Sequence, residues 1–561
     1  MARGRLSRTY RHLGRYQQIL TVLVKHGFAE ILERLEIERR LGIVLKTGRA
    51  PRRHGEGLLV PAERVRRALE ELGPTFIKLG QLLSTRPDLI SLDAVRELGK
   101  LQTQARPFPG VDAVAIVEKE LGRSVAELFR SFEVEPLATA SLGQVHGAEL
   151  TDGRRVVVKV QRPDIHAQVT TDLEILEHLA RLAERRSEEI EVQRPREIVS
   201  EFARVLDKEL NYTFEAAHLR RFARMFQDRP GVRVPEVFRE LSTPKVLTME
   251  RFDGVPASRL DSLRLRGYDL ERIAVEGATA ILEQIFLHGI FHADPHPGNV
   301  MVLDDGVIGF IDLGQVGRLD RSLRHRVARL LTALAKLDEE AAADALLALT
   351  TSDQAPDRRA FEADLSELID WHLDRSVGEI RLGRMLYQTV EIASGQRRRI
   401  PPELFLVLKA LATVEGLAHS LAPEFTLSAC AQPVLTKLVW QRLSPPSLLR
   451  EARAAGSEWL DLLRQVPGGA VEVLQLLRRG KLHVEFEHKG LEPLLHKLEQ
   501  VFNRMVFAVV LAALLIASSL VALGQFSPLW NGIPIIGLAG YLLAGVLGLA
   551  LLISILRRGR L

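Results

Sequence analysis

The residues best suited to chemistry stand in one short segment. His292-Ala-Asp294-Pro-His296-Pro-Gly-Asn299 leads into two apolar runs, Val300–Leu303 and Val307–Ile311, with Asp304-Asp305-Gly306 between them and Asp312 behind. Asp-Gly between two β-type runs predicts a tight hairpin. With Asp305 and Gly306 at the turn centre, Asn299 stands opposite Asp312, at a Cα separation of roughly 4.5–5.5 Å. An amide oxygen and a carboxylate at one hairpin mouth are hard ligands suited to Mg²⁺ on nucleotide phosphates. Asp294, entering from the preceding loop, can act on an attacking nucleophile. Two other readings compete. His292, Asp294 and His296 could form a metal triad, although Pro295 and Pro297 forbid the regular helix that aligns an i, i+4 histidine pair. The segment could also be an ordinary polar hairpin.

Upstream, Val156-Val-Val-Lys159-Val160 predicts a strand with one lysine, on the face of Val157 and Gln161. In isolation such a lysine faces solvent. Ahead of the Asp/Asn/Asp set it suits nucleotide phosphates, and it then needs a carboxylate to fix it. Glu215, in Glu209-Leu-Asn211-Tyr-Thr-Phe-Glu215, is the candidate; a surface helix carboxylate is the alternative. Where a glycine-rich phosphate loop is expected, the chain has Ala138-Thr139-Ala140-Ser141-Leu142-Gly143-Gln144-Val145-His146. Its small side chains allow close approach to phosphates. Cβ atoms at Ala138 and Ala140 narrow the backbone conformations available.

The elements that must hold these groups follow an α+β pattern. A helix starts at Pro61, Gly73-Pro74 breaks it, and a second helix runs over Thr75–Thr85. A strand-rich region spans 133–160, followed by helical stretches at 164–189 and 196–226. Val237–Glu240 and Lys245–Met249 read as short strands. Beyond Leu270 the chain is mostly helical apart from the hairpin at 299–312. A small β-rich lobe before a larger helical lobe predicts a cleft between them. After Asp312, Leu313-Gly-Gln-Val-Gly317 runs almost at once into a helix near 321–337. That leaves no long activation loop with a phosphosite and peptide-docking segment, so a non-protein substrate is expected.

Composition limits the alternatives. The chain has 561 residues, 46% hydrophobic and 26% charged, which excludes a disordered chain. Cys430 is the single cysteine, so an internal disulfide and a multi-cysteine zinc site are excluded. The net charge is +5, and residues 1–60 carry 13 Lys/Arg against 5 Asp/Glu. Such an arm suits nucleic acid or an anionic membrane surface, or is a solvated basic helix. From Met505 to Leu556 no residue is charged. Met505–Leu523 as a helix is about 28 Å long, close to a bilayer core. With Ile533–Leu556 it reads as a hairpin crossing the membrane twice, Trp530 lying at one interface. Arg504 before it and Arg557, Arg558 and Arg560 after it put the rest of the chain in the cytoplasm. Gly540, Ala544 and Gly548 form a small-residue stripe, for packing within the hairpin or between protomers of a homodimer. A buried hairpin in a soluble core is the alternative.

Taken together, these residues resemble the UbiB family of atypical protein-kinase-like proteins. The motifs that carry the resemblance are Lys78-Leu-Gly80-Gln81, the alanine-rich loop at 138–146, Glu209-x-Asn211 with Glu215, and Asp294…Asn299…Asp312. The spacing of Asp294 and Asn299 resembles a protein-kinase catalytic loop, with Asp312 as the metal aspartate. The resemblance covers about residues 61–440, and the C-terminal hairpin is similar to that of bacterial members. It implies a two-lobed kinase-like fold with an N-terminal helical extension. The implied domains are a basic arm at 1–60, the Lys-x-Gly-Gln extension at 61–130, an N-lobe at 131–252, a C-lobe at 253–440, a helical linker at 441–504 and the membrane hairpin at 505–556.

The resemblance also implies roles. Lys159 and Glu215 form the ion pair, Asp294 is catalytic, and Asn299 and Asp312 bind Mg²⁺. ATP lies against Ala138, Thr139, Ala140, Ser141, Gly143, Gln144, Lys159, Met249 and Glu250. Lys78, Gly80 and Gln81 lie against the nucleotide pocket, where a protein substrate would otherwise dock. Asn211 stands where the family usually has aspartate, which leaves Glu209 as the expected partner of Lys78. The implied activity is that of an atypical kinase or ATPase at the inner membrane, supporting ubiquinone biosynthesis. Its partners would be a membrane lipid or polyprenyl-quinone precursor, the anionic membrane surface and quinone-biosynthesis enzymes, and not nucleic acid. A nucleotide-binding pseudokinase scaffold and a small-molecule phosphotransferase are the competing functions.

Overall fold

The computed structural model describes residues 2–29, 62–86, 89–101, 106–184, 194–351, 358–373, 381–396, 398–443, 492–524, 527–530 and 533–558. They fall into two compact units, Met1–Leu449 and Arg450–Leu561. Most of the expected linker at 441–504 and half of the arm at 1–60 lie outside the described residues.

In the first unit, the helices ahead of the sheet include α1 (Ala2–Lys25), α2 (Ala62–Leu72) and α3 (Pro74–Leu83). Gly73 takes φ 96°, which turns the chain sharply between α2 and α3, and Pro74 starts the next helix. The sheet follows, antiparallel, from β1 (Phe129–Phe132), β2 (Ala138–Thr139), β3 (Gly143–Leu150), β4 (Arg155–Gln161) and, later in the chain, β5 (Val246–Glu250). The order is β1–β3–β4–β5, with β2 added to β3. Strand alternation sorts β4: Val156, Val158 and Val160 bury one face with Ala113, Val117 and Phe129, and Lys159 and Val157 share the other.

After β4 come α4 (Ile165–Glu184), α5 (Pro195–Glu209) and α6 (Tyr212–Met225). The single helix expected over 196–226 is thus two. Asn211 leaves helical dihedrals (φ −122°, ψ 98°), and its side-chain oxygen accepts the Thr213 N–H at 3.0 Å, capping α6. The strand expected at Val237–Glu240 is also corrected. Val237 makes one bridge to Met249, and Arg239–Leu241 is a 3₁₀ turn.

The larger lobe includes α7 (Leu270–Glu283), then β6 (Ile290–His292), β7 (Val300–Val302), β8 (Ile308–Phe310) and β9 (Val316–Arg318). Helices α8 (Arg321–Ala335), α9 (Leu382–Gly395) and α10 (Pro402–Leu421) complete the set used below. The β7–β8 hairpin forms, one register from expectation. Asp305 (φ 58°) and Gly306 (φ 76°) take the left-handed dihedrals of the turn. The ladder starts at Leu303–Val307, however, because the Leu303 N–H donates to Val307 O and Asp304 drops out. Asn299 therefore faces Ile311, and Asp312 stands one residue further along.

The basic arm is not a free tether over its described part. Tyr16, Ile19, Leu20 and Val22 on α1 are buried against Ala68, Leu69 and Leu72 of α2, Phe76 of α3 and Ile175 and Leu182 of α4. Arg15 Nε lies 2.7 Å from Asp172 on α4, whose side chain is fully buried, and Arg15 Nη2 donates to Leu72 O.

The second unit pairs α11 (Glu492–Leu523) with α12 (Ile535–Arg558). The small-residue stripe packs inside this pair. A Cβ at Gly540 would lie 2.1 Å from Ser518 Oγ, and Ala544 is buried. Met505–Leu523 has mean hydropathy 2.8 and is only 6% buried, with Val506, Val509, Ile516 and Leu520 exposed. Helix α10 is also long and apolar, but 56% of it is buried in the lobe core.

Arg15→Ala leaves Asp172 as an uncompensated buried charge. It is expected to destabilise the first unit by about 3 kcal/mol, read as a lower denaturant midpoint. Arg15→Ala with Asp172→Leu should regain most of that loss.

Candidate active site

The sheet delivers Lys159 to the cleft face, between Val145 on β3 and Leu247 on β5. Helix α6 delivers Glu215, in its first turn, where the helix dipole favours a carboxylate. Lys159 Nζ lies 2.9 and 2.8 Å from the two Glu215 oxygens and 3.6 Å from Asp312 Oδ2. It also lies 5.2 Å from the centre of the Tyr212 ring. The lysine and glutamate side chains are only 11% and 7% exposed, so the pair is almost out of water. Burial alone would neutralise Lys159, but Asp312 and Glu215 outweigh it and raise its pKa above the ordinary lysine value.

Asp312 is the exposed end of this cluster, its side chain 40% accessible. Its Oδ1 accepts the Gly314 N–H at 2.8 Å. Burial would raise its pKa; Lys159, the Gly314 N–H, His292 and Lys78 together hold it well below the usual carboxylate range. It is therefore an anion with one oxygen facing Lys159 and the cleft.

The loop before β7 is folded on its own backbone. The His296 N–H donates to Asp294 O and the Asn299 N–H to His296 O, both at 2.8 Å. The Asn299 amide nitrogen also donates to Asp294 O at 3.4 Å. His292 is buried: its N–H donates to Gln284 Oε1, its Nδ1 accepts the Asp294 N–H, and its ring edge meets Phe310. His296 is exposed, its Nδ1 accepting the Gly298 N–H. The two histidines are thus committed to separate loop contacts. Among the described residues no three His, Cys, Asp or Glu side chains form a metal cluster.

Two polar residues here were not anticipated. Lys409 Nζ, from the middle of α10, lies 3.0 Å from Asp294 Oδ1. Gln315 Nε2 donates to Glu209 Oε1 at 3.3 Å. The signal for Lys409 was present: it is the one charge between Leu404 and Val414, on an otherwise apolar helix.

Glu209 also receives the extension. Lys78 Nζ on α3 lies 2.6 Å from Glu209 Oε2, both side chains largely buried. With Gln315 on its other oxygen, Glu209 joins α3 to the Asp312 loop. Asn211 does not join this pair; it caps α6, a task asparagine performs as well as aspartate. Gly80 and Gln81 face the packing side of α3. A Cβ at Gly80 would lie 2.3 Å from Leu101 Cδ1, and Gln81 Nε2 donates to Leu101 O.

The alanine-rich loop closes on itself through the Ala140 N–H to Gly143 O, at 2.8 Å. Arg162 pins it from behind by donating to Ser141 O and Ala140 O. Ala138 and Thr139 form β2 on β3. Gln144 needs a correction: its side chain is fully buried, tied to the Phe108 backbone and to His146, and does not face the cleft. Met249 is buried at the end of β5, and the Glu250 carboxylate is taken by Arg233 and the Glu236 N–H.

This geometry has known relatives. The ABC1 atypical kinase-like domain matches residues 100–346, the UbiB helical domain 365–426 and the ABC1/UbiB kinase-like C-terminal domain 489–557. A Clostridium pasteurianum protein, named only as an uncharacterized protein in the hydrogenase 1 5′ region, is 31% identical over 503 residues, 89% of this chain and 94% of that one. The probable protein kinase UbiB of Cellvibrio japonicus is 37% identical over 420 residues, 74% of this chain and 76% of that one. Among solved structures, Mycobacterium tuberculosis Rv3197 in complex with erythromycin aligns at 25% identity and TM-score 0.41, over 64% of this chain and 94% of that one.

The chain belongs to the UbiB/ABC1 atypical kinase family. Its kinase-like domain is a nucleotide-binding fold. In this UbiB/ABC1 chain the cation, its two carboxylates and the polar loop come from β4, α6, the segment after β8 and the segment before β7.

Burial pushes the His292 pKa down from 6.5 to about 4. The unfolded chain then binds this proton at higher pH than the fold does. The stability held by neutral His292 is complete above pH ~6.5 and is lost as pH falls toward about 4, up to roughly 3 kcal/mol. His292→Gln should flatten the pH dependence of unfolding across that window relative to the parent chain.

Proposed function

We propose that this chain is a membrane-anchored, Mg-ATP-dependent atypical kinase or ATPase that serves ubiquinone biosynthesis by handling a lipid precursor. The observation that carries the reading is the Lys159–Glu215–Asp312 cluster, a cation held charged between two carboxylates at the cleft face. The residues suit a magnesium nucleotide. Asp312 is held ionised and is part-exposed, and Asn299 precedes it in the chain order of a kinase site.

Bound Mg-ATP supplies an electrophilic terminal phosphoryl group and a metal that offsets its charge. The rest is work for this chain. Lys159, kept charged by Glu215, would hold phosphate oxygens. Asn299 and Asp312 would hold the metal. Asp294 would orient an acceptor hydroxyl or water and take its proton, while Lys409 keeps the Asp294 carboxylate in place. Ala138, Thr139, Ala140, Ser141 and Gly143 would cover the phosphates, and Met249 and Glu250 would border the base.

A non-protein acceptor is supported by the extension. Lys78 is tied through Glu209 and Gln315 to the Asp312 loop, and in this reading α3 would stand where a docked peptide would need room. Membrane anchoring is supported by the exposed apolar face of Met505–Leu523, and the arginines at 504, 557, 558 and 560 favour a cytoplasmic kinase-like domain at the inner membrane. The relatives named probable protein kinase UbiB support the quinone assignment. An apolar quinone precursor, an anionic membrane surface and quinone-biosynthesis enzymes are the partners this reading expects.

The test is ATP hydrolysis by the full-length chain in anionic liposomes with Mg²⁺, with and without a phenolic quinone-precursor analogue. Asp312→Asn is expected to lower turnover roughly 100-fold or more, and lipid or phenol to raise that of the parent chain. Tight nucleotide binding without turnover under all conditions would favour a scaffold. Phosphorylation of a soluble protein at catalytic rates would overturn the non-protein acceptor.

A further inference from the structure

Tyr212 is the first residue of α6, directly after the Asn211 cap, with its N–H donating to Pro244 O. Only 3% of it is exposed. Its ring forms the floor under Lys159 Nζ, 5.2 Å from the ring centre. Its hydroxyl is buried and has no hydrogen-bond partner among the described residues. A buried polar atom left unpaired is costly, and phenylalanine would fill the same space without that cost. A tyrosine here therefore makes sense if its hydroxyl gains a partner in another state of the protein.

The surroundings indicate which state. A Cβ at Gly143 would lie 2.4 Å from the Tyr212 hydroxyl and 2.5 Å from Val160 O. Position 143, the only glycine in the alanine-rich loop, is thus where the hydroxyl comes up beneath the loop backbone. Burial raises the phenol pKa well above its ordinary value, so the group stays a donor across neutral pH. A protonated donor lies beside a charged lysine and beneath the loop that covers phosphates. Its complementary partner is an anionic oxygen.

We propose that the Tyr212 hydroxyl donates a hydrogen bond to a phosphate oxygen of the bound nucleotide, as a second phosphate contact beside Lys159. This rests on the nucleotide reading given above. Gly143 is kept as glycine so that the hydroxyl can reach past the loop.

The test compares the parent full-length chain with Tyr212→Phe, measuring melting temperature without ligand and Kd for Mg-ATP, Mg-ADP and adenosine. Tyr212→Phe should melt at the parent temperature or higher, because an unpaired polar atom is removed. Its Kd for Mg-ATP should rise about tenfold, the scale of a hydrogen bond to a charged group, with adenosine affinity unchanged. Gly143→Ala, which crowds the hydroxyl from above, should also weaken Mg-ATP more than adenosine. Mg-ATP binding within twofold of the parent in Tyr212→Phe would overturn the proposal and leave the hydroxyl a packing feature. Equal losses for adenosine and Mg-ATP would overturn it as well, pointing to a distorted pocket. A parent chain that binds none of the three would instead overturn the nucleotide reading itself, and this contact with it.

Discussion

Taking a lysine ammonium out of water is costly unless opposite charge meets it, and Lys159 meets two carboxylates. Glu215 comes from α6 and Asp312 from the segment after β8, so the cation is satisfied only when sheet, helix and hairpin are all in place. Much of the local structure can be traced to that requirement. The valines on one face of β4 bury themselves and turn Lys159 toward the cleft. Asn211 ends α5 and restarts the helix so that Glu215 falls in the first turn of α6. The Gly314 N–H fixes one Asp312 oxygen and leaves the other beside the lysine.

A second layer of charge surrounds the first. Glu209 binds Lys78 with one oxygen and Gln315 with the other, and Gln315 follows Asp312 by three residues. The extension is therefore coupled to the Asp312 segment through one carboxylate. Helix α1 adds to that assembly, since its apolar face and Arg15 clamp α2 and α4, against which α3 is set. A basic N-terminal segment whose composition suits nucleic acid, an anionic membrane surface or a solvated helix is, over its described part, a structural member of the extension.

The sequence carried the parts of the site that depend on local rules. Alternation gave the face of Lys159, and Asp305-Gly306 gave the hairpin after Asn299. The hairpin register was off by one because Asp304 leaves the ladder, a choice set by the turn dihedrals rather than by hydrophobic pattern. The break at Asn211 was hidden because both halves of 196–226 have helical periodicity, and only the cap interrupts them. Lys409 was out of reach for another reason. It lies more than a hundred residues beyond Asp294, and the packing of the larger lobe brings the two together. Gln144 was misjudged because loop membership does not say which way a side chain turns. The small-residue stripe at Gly540 and Ala544 left two packing modes open, and contact with Ser518 places it within the hairpin.

The central claim is that Lys159 and Glu215 act as one unit, and a double-mutant cycle on Mg-ATP affinity tests it most directly. Lys159→Met, Glu215→Gln and the double variant would be compared with the parent by isothermal titration. The account predicts that the double variant binds no worse than the weaker single one, a coupling of at least about 1 kcal/mol. Losses that simply add, within about 0.5 kcal/mol, would mean that the pair is two independent contacts and would contradict the account.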